Sequence, residues 1–345
     1  RISAWSFILA WLSLLIAVIL LYIATGDWYI YSNMSDDNAI NYGMRLCINL
    51  LIVLAVIIPA AQFPFQGWLI ESVAAPTPVS AIMHAGIVNA GGVILTRFSP
   101  VFNDEIAISL LLIIASISVL LGSGISLVHV DYKRQLVGST ISQMGFMLVQ
   151  CALGAYSAAI VHLILHGVFK ATLFLQSGSV VKRFNIPTPP SVKKSYGWLV
   201  FGRLLAILIA IIFWLNSDRH AYDVLSALIL AWSLMVSWNQ LVAFSHGLIG
   251  RVIGVCMIIV VVIVYIITHH YFFTTLSNVD IHIVSPPLIS IILSIAIIVF
   301  GSMLSIWVSR RRESKAFAKL YLWLIKVGEA KTQSIESHPS YLKRF

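Results

Sequence analysis

Three protonatable side chains recur at helical spacing inside one long apolar segment. His162, His166 and Lys170 lie at positions i, i+4 and i+8 of the segment 158–180, so a helix places all three along one stripe. Charged groups at membrane depth are costly and mark functional sites by default. Because histidine titrates near neutral pH and can pass protons to neighbouring groups, the stripe predicts a proton relay.

Metal chemistry fits the same residues less well. The axial ligands of a haem reach the iron from opposite sides, usually from two helices, whereas His162 and His166 are one turn apart on one helix. A zinc site needs further ligands, and no carboxylate or cysteine is close to these histidines in sequence. We therefore expect neither a metal nor a cofactor in this chain.

A second polar group lies in the stretch 76–92. Pro76 and Pro78 open this stretch and suit the first turn of a helix, while His84 and Asn89 follow inside the same apolar segment. A proline at a helix start is structural, but a histidine at membrane depth is a candidate for function. We expect His84 to belong to the polar path and Asn89 to assist it.

The elements that position these residues are long apolar runs. Of the 345 residues, 59% are hydrophobic and only 10% are charged, which excludes an ordinary soluble domain. A helix that crosses a membrane needs about 20 apolar residues, and the runs are continuous, unlike those of a membrane strand. The sequence predicts an all-α bundle of about ten spans: 3–24, 41–61, 78–97, 107–128, 137–152, 158–180, 198–215, 224–246, 252–271 and 286–309.

The charges indicate how the bundle is oriented. Most of the 22 Lys and Arg residues fall on the side of the N-terminus, and Arg45, Arg97 and Arg219 fall on the other side. This asymmetry predicts that both termini are cytoplasmic and accounts for the net charge of +9 without a nucleic-acid partner. Lys170 belongs to neither side of the membrane, because it lies about midway along the span 158–180. Lys133 stands at a cytoplasmic loop end, where a charge is usually only solvated.

The segment 310–345 differs from the transmembrane bundle 1–309. It mixes bases with aromatic residues at roughly helical spacing, which is typical of an amphipathic helix on a membrane surface. A docking surface for a cytoplasmic partner is the alternative, and the two are compatible. The candidate lipid- or partner-binding residues are Arg310, Arg311, Arg312, Lys315 and Lys319.

Several motifs in one unbroken order resemble those of a known family. They are Gln62 to Leu69, Pro76 to Ala81 with His84, Asp131 to Arg134, Ser139 to Gly145, and Ser157 through His162, His166 and Lys170 to Val180. Together they resemble the antiporter-like subunits of respiratory complex I and of multisubunit Na⁺/H⁺ antiporters. The resemblance covers residues 40–183 and fades over 184–309.

The resemblance implies a fold with discontinuous helices and a chain of buried protonatable groups along the membrane midplane. The matching residues are His84, Lys133, His162, His166 and Lys170, so the family pattern raises Lys133 from a loop charge to a relay member. Two departures limit the comparison. Pro59 occupies the position of a buried family lysine, and the segment 224–246 carries only His246 where the family has a charged residue.

Within that superfamily, the stretch from His84 to Gly92 with Arg97 to Pro100 is most similar to the membrane subunits of DAB-type inorganic-carbon transporters. That resemblance implies a subunit in a bacterial inner membrane that passes cations, H⁺ first and Na⁺ as the alternative. It also implies a large cytoplasmic, DabA-like zinc subunit similar to a β-carbonic anhydrase, which converts CO₂ to bicarbonate. The zinc would belong to that partner.

Two other functions remain open. The chain could be a proton-pumping subunit of a complex I-like NADH–quinone oxidoreductase or an Mrp-type Na⁺/H⁺ antiporter, although Pro59 and the divergent second half count against this. It could also be a scaffold that only anchors a soluble enzyme. The scaffold hypothesis predicts that neutral replacements at the relay positions are harmless.

Overall fold

The chain forms helices throughout its described part. In a computed structural model, the residues described are 2–28, 40–177, 196–215, 247–277, 288–310 and 313–329, with the single residues 227, 231, 234, 235 and 238. The α-helices are α1 (Ile2–Thr25), α2 (Tyr42–Ile57), α3 (Gly67–Glu71), α4 (Thr77–Ala85), α5 (Ala90–Arg97), α6 (Glu105–Val128), α7 (Tyr132–Ala152), α8 (Tyr156–Ser177), α9 (Tyr196–Leu215), α10 (Gly247–Ser277), α11 (Leu288–Arg310) and α12 (Lys315–Gly328).

The chain divides into two compact units. One comprises Arg1–Lys182 with Ile281–Phe345, and the other comprises Arg183–Asp280. The first unit holds every predicted relay residue. The second contains α9 and α10, and within it the buried Trp238 donates from Nε1 to the carbonyl of Trp198 at 2.8 Å.

Several helices have the length and composition of membrane spans. Within the described residues, four stretches are long and apolar enough to cross a bilayer: Ala4–Thr25, Thr77–Arg97, Glu105–Val128 and Tyr156–Ser177. Shorter apolar helices are Tyr42–Ile57, Val200–Leu215, Arg251–Val264 and Ile291–Gly301. The predicted all-α class is confirmed. The count of ten spans stays a prediction, and most of the span predicted at 224–246 lies outside the described residues.

The stretch predicted as one span at 78–97 is a broken helix. α4 ends at Ala85, a short 3₁₀ turn covers Ile87–Asn89, and α5 begins at Ala90. Gly86 lies at the break, where a Cβ atom would be 2.9 Å from the Ile82 carbonyl oxygen. A residue with a side chain would therefore strain this turn, and the break agrees with the discontinuous helices that the family resemblance implies.

Two other predicted ends are shifted for local reasons. α2 stops at Ile57 rather than 61, because Pro59 has no N–H to continue the helical hydrogen bonds. α7 begins at Tyr132 rather than 137, because Asp131 caps it: the Asp131 carboxylate accepts from the Lys133 backbone N–H at 2.9 Å. Apolar runs alone miss such a polar first turn.

In the first unit, α6 and α7 pack with their backbones in direct contact. A Cβ atom at Gly122 would lie 2.5 Å from Ser142 N and 2.6 Å from Gly138 O, and one at Gly138 would lie 2.6 Å from Ser126 N. Glycine therefore lets the two backbones touch, as small residues do where membrane helices pack closely. This contact fixes the position of α7, whose residues hold much of the site.

α12 crosses the end of α6. The Leu324 side chain lies against Gly124, where a Cβ atom would be 2.9 Å from Leu324 Cδ2. The Tyr321 hydroxyl donates to the Val128 carbonyl at 3.5 Å, and a Cβ atom at Gly328 would be 2.2 Å from His129 Nε2. The amphipathic helix predicted in the segment 310–345 thus packs on the membrane bundle.

The contact between α12 and His129 predicts a pH dependence. Burial, with a further contribution from Arg134, lowers the pKa of His129, whereas Glu329 and Asp131 act in the opposite direction. A detached His129 has an ordinary pKa of about 6.5, so detachment is coupled to proton uptake. Docking of α12 is then strongest above about pH 6.5 and weakens as the pH falls below it.

This dependence can be measured with a nitroxide on α12, for instance on a cysteine introduced at the exposed position Ala318. The probe is expected to become more mobile below about pH 6.5. His129→Gln is the matched control and should show a flat profile. A profile that is equally steep in both proteins would assign the pH effect to another group.

Candidate functional site

His84 occupies the last turn of α4, immediately before the break in the helix. Its side chain is completely buried, and its ring stacks on Phe174 of α8 at 4.2 Å between centroids. Nδ1 lies 3.1 Å from the Thr140 hydroxyl, and Nε2 lies 3.2 Å from the Ser72 hydroxyl. Both ring nitrogens therefore have a hydroxyl partner, one from α7 and one from the short 3₁₀ helix Ser72–Ala74.

The two hydroxyl groups also bond to backbone carbonyls. Thr140 donates to Leu136 O at 2.8 Å, and Ser72 donates to Leu69 O. A hydroxyl has a single proton to donate, so with both carbonyl bonds in place both ring nitrogens of His84 must donate and the ring is charged. A neutral ring needs one hydroxyl to rotate towards it. Hydroxyl rotation therefore lets both ring nitrogens keep a hydrogen-bond partner in either protonation state.

Lys170 lies on the other side of the same network. Its side chain is 2% exposed, and its ammonium donates to Leu136 O at 3.0 Å and to the Ser139 hydroxyl. The Leu136 carbonyl is therefore shared by Lys170 and Thr140. Within the described part of the chain, no carboxylate lies within ion-pair distance of Lys170. The amine is held by neutral oxygens.

These contacts form one continuous series of hydrogen bonds. It runs from Lys170 through the Leu136 carbonyl and Thr140 to His84, and then to Ser72. We call these five residues the Lys170–Ser72 network. Two of its members come from α7, one from α8 and two from the segment around the broken helix, so the fold rather than sequence proximity brings them together.

Lys133 contacts the same region from the start of α7. Its ammonium donates to the Ala75 carbonyl at 3.1 Å, and the fully buried Ser80 hydroxyl lies 3.3 Å from that carbonyl and 3.4 Å from the Ser72 carbonyl. The residue that sequence spacing alone assigned to a solvated loop end is therefore half-buried beside the Lys170–Ser72 network.

The remaining two histidines continue along α8. His162 Nδ1 donates to the Gln150 amide oxygen, 3.0 Å away, and the His162 and His166 rings meet edge to face with centroids 6.1 Å apart. His166 is 6% exposed, and neither of its ring nitrogens has a hydrogen-bond partner among the described residues. Buried polar atoms of this kind are rare and need an explanation.

Asn89 provides a similar buried acceptor at the broken helix. Its amide nitrogen donates to Ala85 O at 2.7 Å, while its Oδ1 is buried without a partner in the described part of the chain. Gly167, next to His166, allows α8 to approach this turn, since a Cβ atom there would lie 3.0 Å from Ala85 O. A residue larger than glycine would push α8 away from the break.

Gln62 follows the end of α2, three residues after Pro59. Its side chain is completely buried, its amide nitrogen donates to Ala60 O at 2.6 Å, and its Oε1 has no partner among the described residues. α7 approaches it closely, because a Cβ atom at Gly145 would lie 2.9 Å from Gln62 Oε1. This polar site lies outside the Lys170–Ser72 network.

Sequence reasoning missed the hydroxyl and amide members of the site. Ser72, Ser139, Thr140 and Gln150 all bond to a predicted relay residue, yet none was singled out as a candidate. A signal exists in part: Ser139 and Thr140 lie in a polar cluster within an otherwise apolar segment. Ser72 offers no such signal, because only the packing of the 3₁₀ helix Ser72–Ala74 places it against His84.

The basic candidates of the C-terminal segment are placed only in part. Lys315 and Lys319 are exposed on α12. Arg310 ends α11, and Arg311 and Arg312 lie outside the described residues. The described residues contain no group of three or more His, Cys, Asp or Glu side chains that could hold a metal ion.

Comparisons with known proteins give a consistent result. The family model for the transmembrane part of NADH:quinone oxidoreductases and Mrp antiporters matches residues 2–254. A Bacillus subtilis (strain 168) protein named "Probable inorganic carbon transporter subunit DabB" is 56% identical over 347 residues, covering 100% of this chain and 69% of that protein. The Bacillus anthracis protein of the same name is 53% identical, with coverages of 99% and 68%.

A chloroplast relative matches less of the chain. NAD(P)H-quinone oxidoreductase subunit 5 of Chloranthus spicatus is 36% identical over 200 residues, which cover 55% of this chain and 27% of that subunit. The similarity to the two Bacillus proteins therefore extends across the whole chain, whereas the similarity to the chloroplast subunit covers about half of it.

Proposed function

Because the chain belongs to the NADH:quinone oxidoreductase/Mrp antiporter family of multi-pass membrane proteins, we propose that it conducts protons through the Lys170–Ser72 network. The relay residues are His84, Lys133, His162, His166 and Lys170, and Asn89 assists them at the broken helix. Na⁺ is the alternative cargo.

The observation that carries this proposal is the hydrogen-bonded connection between Lys170 and His84. Lys170 and Thr140 both donate to the Leu136 carbonyl, and the Thr140 hydroxyl in turn contacts Nδ1 of His84 on a different helix. The carbonyl only accepts and holds the two donors beside one another, while the Thr140 hydroxyl can accept a proton that water carries from Lys170 and donate its own proton to His84. Such a series provides a route that an isolated buried histidine lacks.

The unpartnered atoms of His166 and Asn89 support a path rather than a dry core. Leaving a buried polar group without a partner costs about 1–3 kcal/mol. An apolar side chain at the same position would avoid this cost. In the proposed function these atoms bind the passing proton or its water carriers. The unfavourable free energy of the unpartnered atoms is then a consequence of keeping polar groups available along the path.

The similarity to the Bacillus proteins supports a role in inorganic carbon uptake. Those relatives are named as transporter subunits for inorganic carbon, and this chain matches about two thirds of their length. In this proposal, proton flow through the chain drives a cytoplasmic zinc subunit similar to a β-carbonic anhydrase. One charge moving through 100 mV releases about 2.3 kcal/mol, enough to bias the partner's reaction more than tenfold. Both termini of the chain would face the cytoplasm of a bacterial inner membrane.

Copurification tests the carbon part of the proposal. The complex isolated from bacterial membranes under native expression is expected to contain a soluble subunit with stoichiometric zinc and to lose CO₂ uptake when an uncoupler is added.

The similarity to the chloroplast subunit suggests a second candidate, a proton pump driven by redox chemistry. Flavin and iron–sulfur subunits in the isolated complex would support that candidate and contradict the proposal.

Thr140 provides a direct test of the relay. Thr140→Val keeps the shape of the side chain but removes the hydroxyl between Leu136 O and His84. We expect proton flux into proteoliposomes to fall about tenfold, because a buried ring nitrogen without its partner costs about 1–3 kcal/mol. Thr140→Ser retains the hydroxyl and is expected to stay near the wild-type flux. Equal flux in all three proteins would contradict a path through this group.

A further inference from the structure

The C-terminal helix α12 has two chemically different faces. One face packs on α6 through Leu324, Tyr321 and Gly328. The opposite face carries three exposed lysines together with Leu322 and Trp323, whose side chains are 64% and 50% exposed. A helix with one face on its own protein and large exposed apolar groups on the other needs a second neighbour.

The outward residues form a single stripe. Lys315, Lys319, Leu322 and Lys326 follow one another at spacings of four, three and four, and Trp323 lies four residues after Lys319, so their side chains project on one side of the helix. Bases and large apolar groups therefore share a face instead of occupying opposite faces. The helix itself contains no acidic residue.

The contacts with α6 determine the depth of this stripe relative to the bilayer. α6 has 24 residues, about 36 Å at 1.5 Å per residue, while the hydrocarbon core of a bilayer is about 30 Å thick. The end of α6 at Val128 therefore reaches the headgroup layer, and Tyr321 bonds to that residue. α12 crosses α6 at the boundary between lipid and water.

From this placement we infer that the stripe Lys315–Lys319–Leu322–Trp323–Lys326 binds the headgroups of anionic lipids. Tryptophan favours the interfacial layer, and lysine places its alkyl chain along apolar surface while its ammonium reaches the phosphate. Each lysine near an anionic surface favours binding by about fivefold. The sequence adds Arg310, Arg311 and Arg312 shortly before this helix, separated from it by Glu313 and Ser314.

This inference is independent of the proton path. The stripe faces away from α6, and none of its residues bonds to a member of the Lys170–Ser72 network. An anionic lipid bound here would stabilise α12 against the end of α6 and so fix the loop that leads from His129 to α7. A soluble protein covering the same face is the competing occupant, and the experiment separates the two.

The test uses the full chain in nanodiscs with an environment-sensitive fluorophore at Ala316→Cys, beside the stripe, after replacement of the exposed Cys47 and Cys256 by serine. Brominated phosphatidylglycerol and brominated phosphatidylcholine are compared as quenchers at equal mole fraction. We expect phosphatidylglycerol to quench at least about twofold more strongly, well within the fivefold per lysine that an anionic surface provides.

Three variants decide the assignment. Changing Lys315, Lys319 and Lys326 together to glutamine is expected to abolish the difference between the two lipids, whereas arginine at the same positions should retain it. Arg203→Gln, which removes an exposed base from α9, is the control for overall charge and should also retain it. Equal quenching by both lipids in the unmodified stripe, or a preference that survives the glutamine variant, would overturn the inference. Emission typical of water with no quenching by either lipid would overturn it in favour of a protein partner.

Discussion

Replacing Lys170 by alanine is expected to lower gradient-driven proton flux through the reconstituted chain by about a hundredfold or more, since positioned proton donors contribute about 10²–10⁴. The substitution removes the amine that bonds to the Leu136 carbonyl and to Ser139. Thr140 still donates to Leu136, so the backbone oxygen keeps a partner and the helices keep their packing. The measurement is pH change inside dye-loaded proteoliposomes after a potential is imposed.

Lys170→Arg separates a proton relay from a structural charge. Arginine retains the positive charge and can donate to the same oxygens, but it does not release its proton under physiological conditions. We expect this variant to assemble as well as the wild type and to remain as inactive as Lys170→Ala. Arg203→Ala on α9 should conduct normally. Full flux in Lys170→Ala would exclude the relay and support the scaffold hypothesis.

Gly122→Ala is expected to cause the largest loss of stability among single-methyl additions in α6 and α7. The new Cβ atom would lie 2.5 Å from Ser142 N and 2.6 Å from Gly138 O, and backbone atoms cannot rotate aside as a flexible side chain can. The two helices would have to separate, at a cost of about 1–3 kcal/mol or more. The result should appear as a lower melting temperature and as lost flux.

Gly67→Ala is the matched control for that experiment. It adds the same methyl group in the same unit, but no atom lies within 4 Å of the position. Replacing a glycine at the exposed start of α3 is expected to leave the melting temperature unchanged or to raise it slightly, because the unfolded chain loses conformational freedom. Equal effects of the two substitutions would contradict the proposed backbone contact between α6 and α7.

Much of the fold follows from the sequence because its main signal is the length of apolar runs. The segment 158–180 coincides with α8 apart from its ends, and His162, His166 and Lys170 recur along that helix as their spacing predicts. The local exceptions also have sequence causes, such as Pro59 at the end of α2 and Gly86 at the break. Helix spacing is a local property that a single chain reveals, whereas the discontinuous helices were implied only by the family resemblance.

The connections within the site were not predictable in the same way. Lys170 reaches His84 through Leu136 and Thr140, which lie on a different helix, and that link depends on the register in which α7 and α8 pack. Apolar patterns define which face of a helix is buried, but they leave the sliding of one helix against another undetermined. The same limitation explains why Lys133 became a candidate only through the family resemblance.

The centre of the Lys170–Ser72 network is a main-chain oxygen. The side chain of Leu136 takes no part in the hydrogen bonds of that oxygen, so another apolar residue of similar size could stand there without disconnecting Lys170 from Thr140. Because the Leu136 side chain is itself buried, mutational scanning would record the position as a packing site, although its carbonyl lies at the junction of the proposed path. The connection depends on the position of α7 along its axis, which the contact between α6 and α7 determines. Selection for the connection would therefore act on Gly122 and Gly138, which allow that contact.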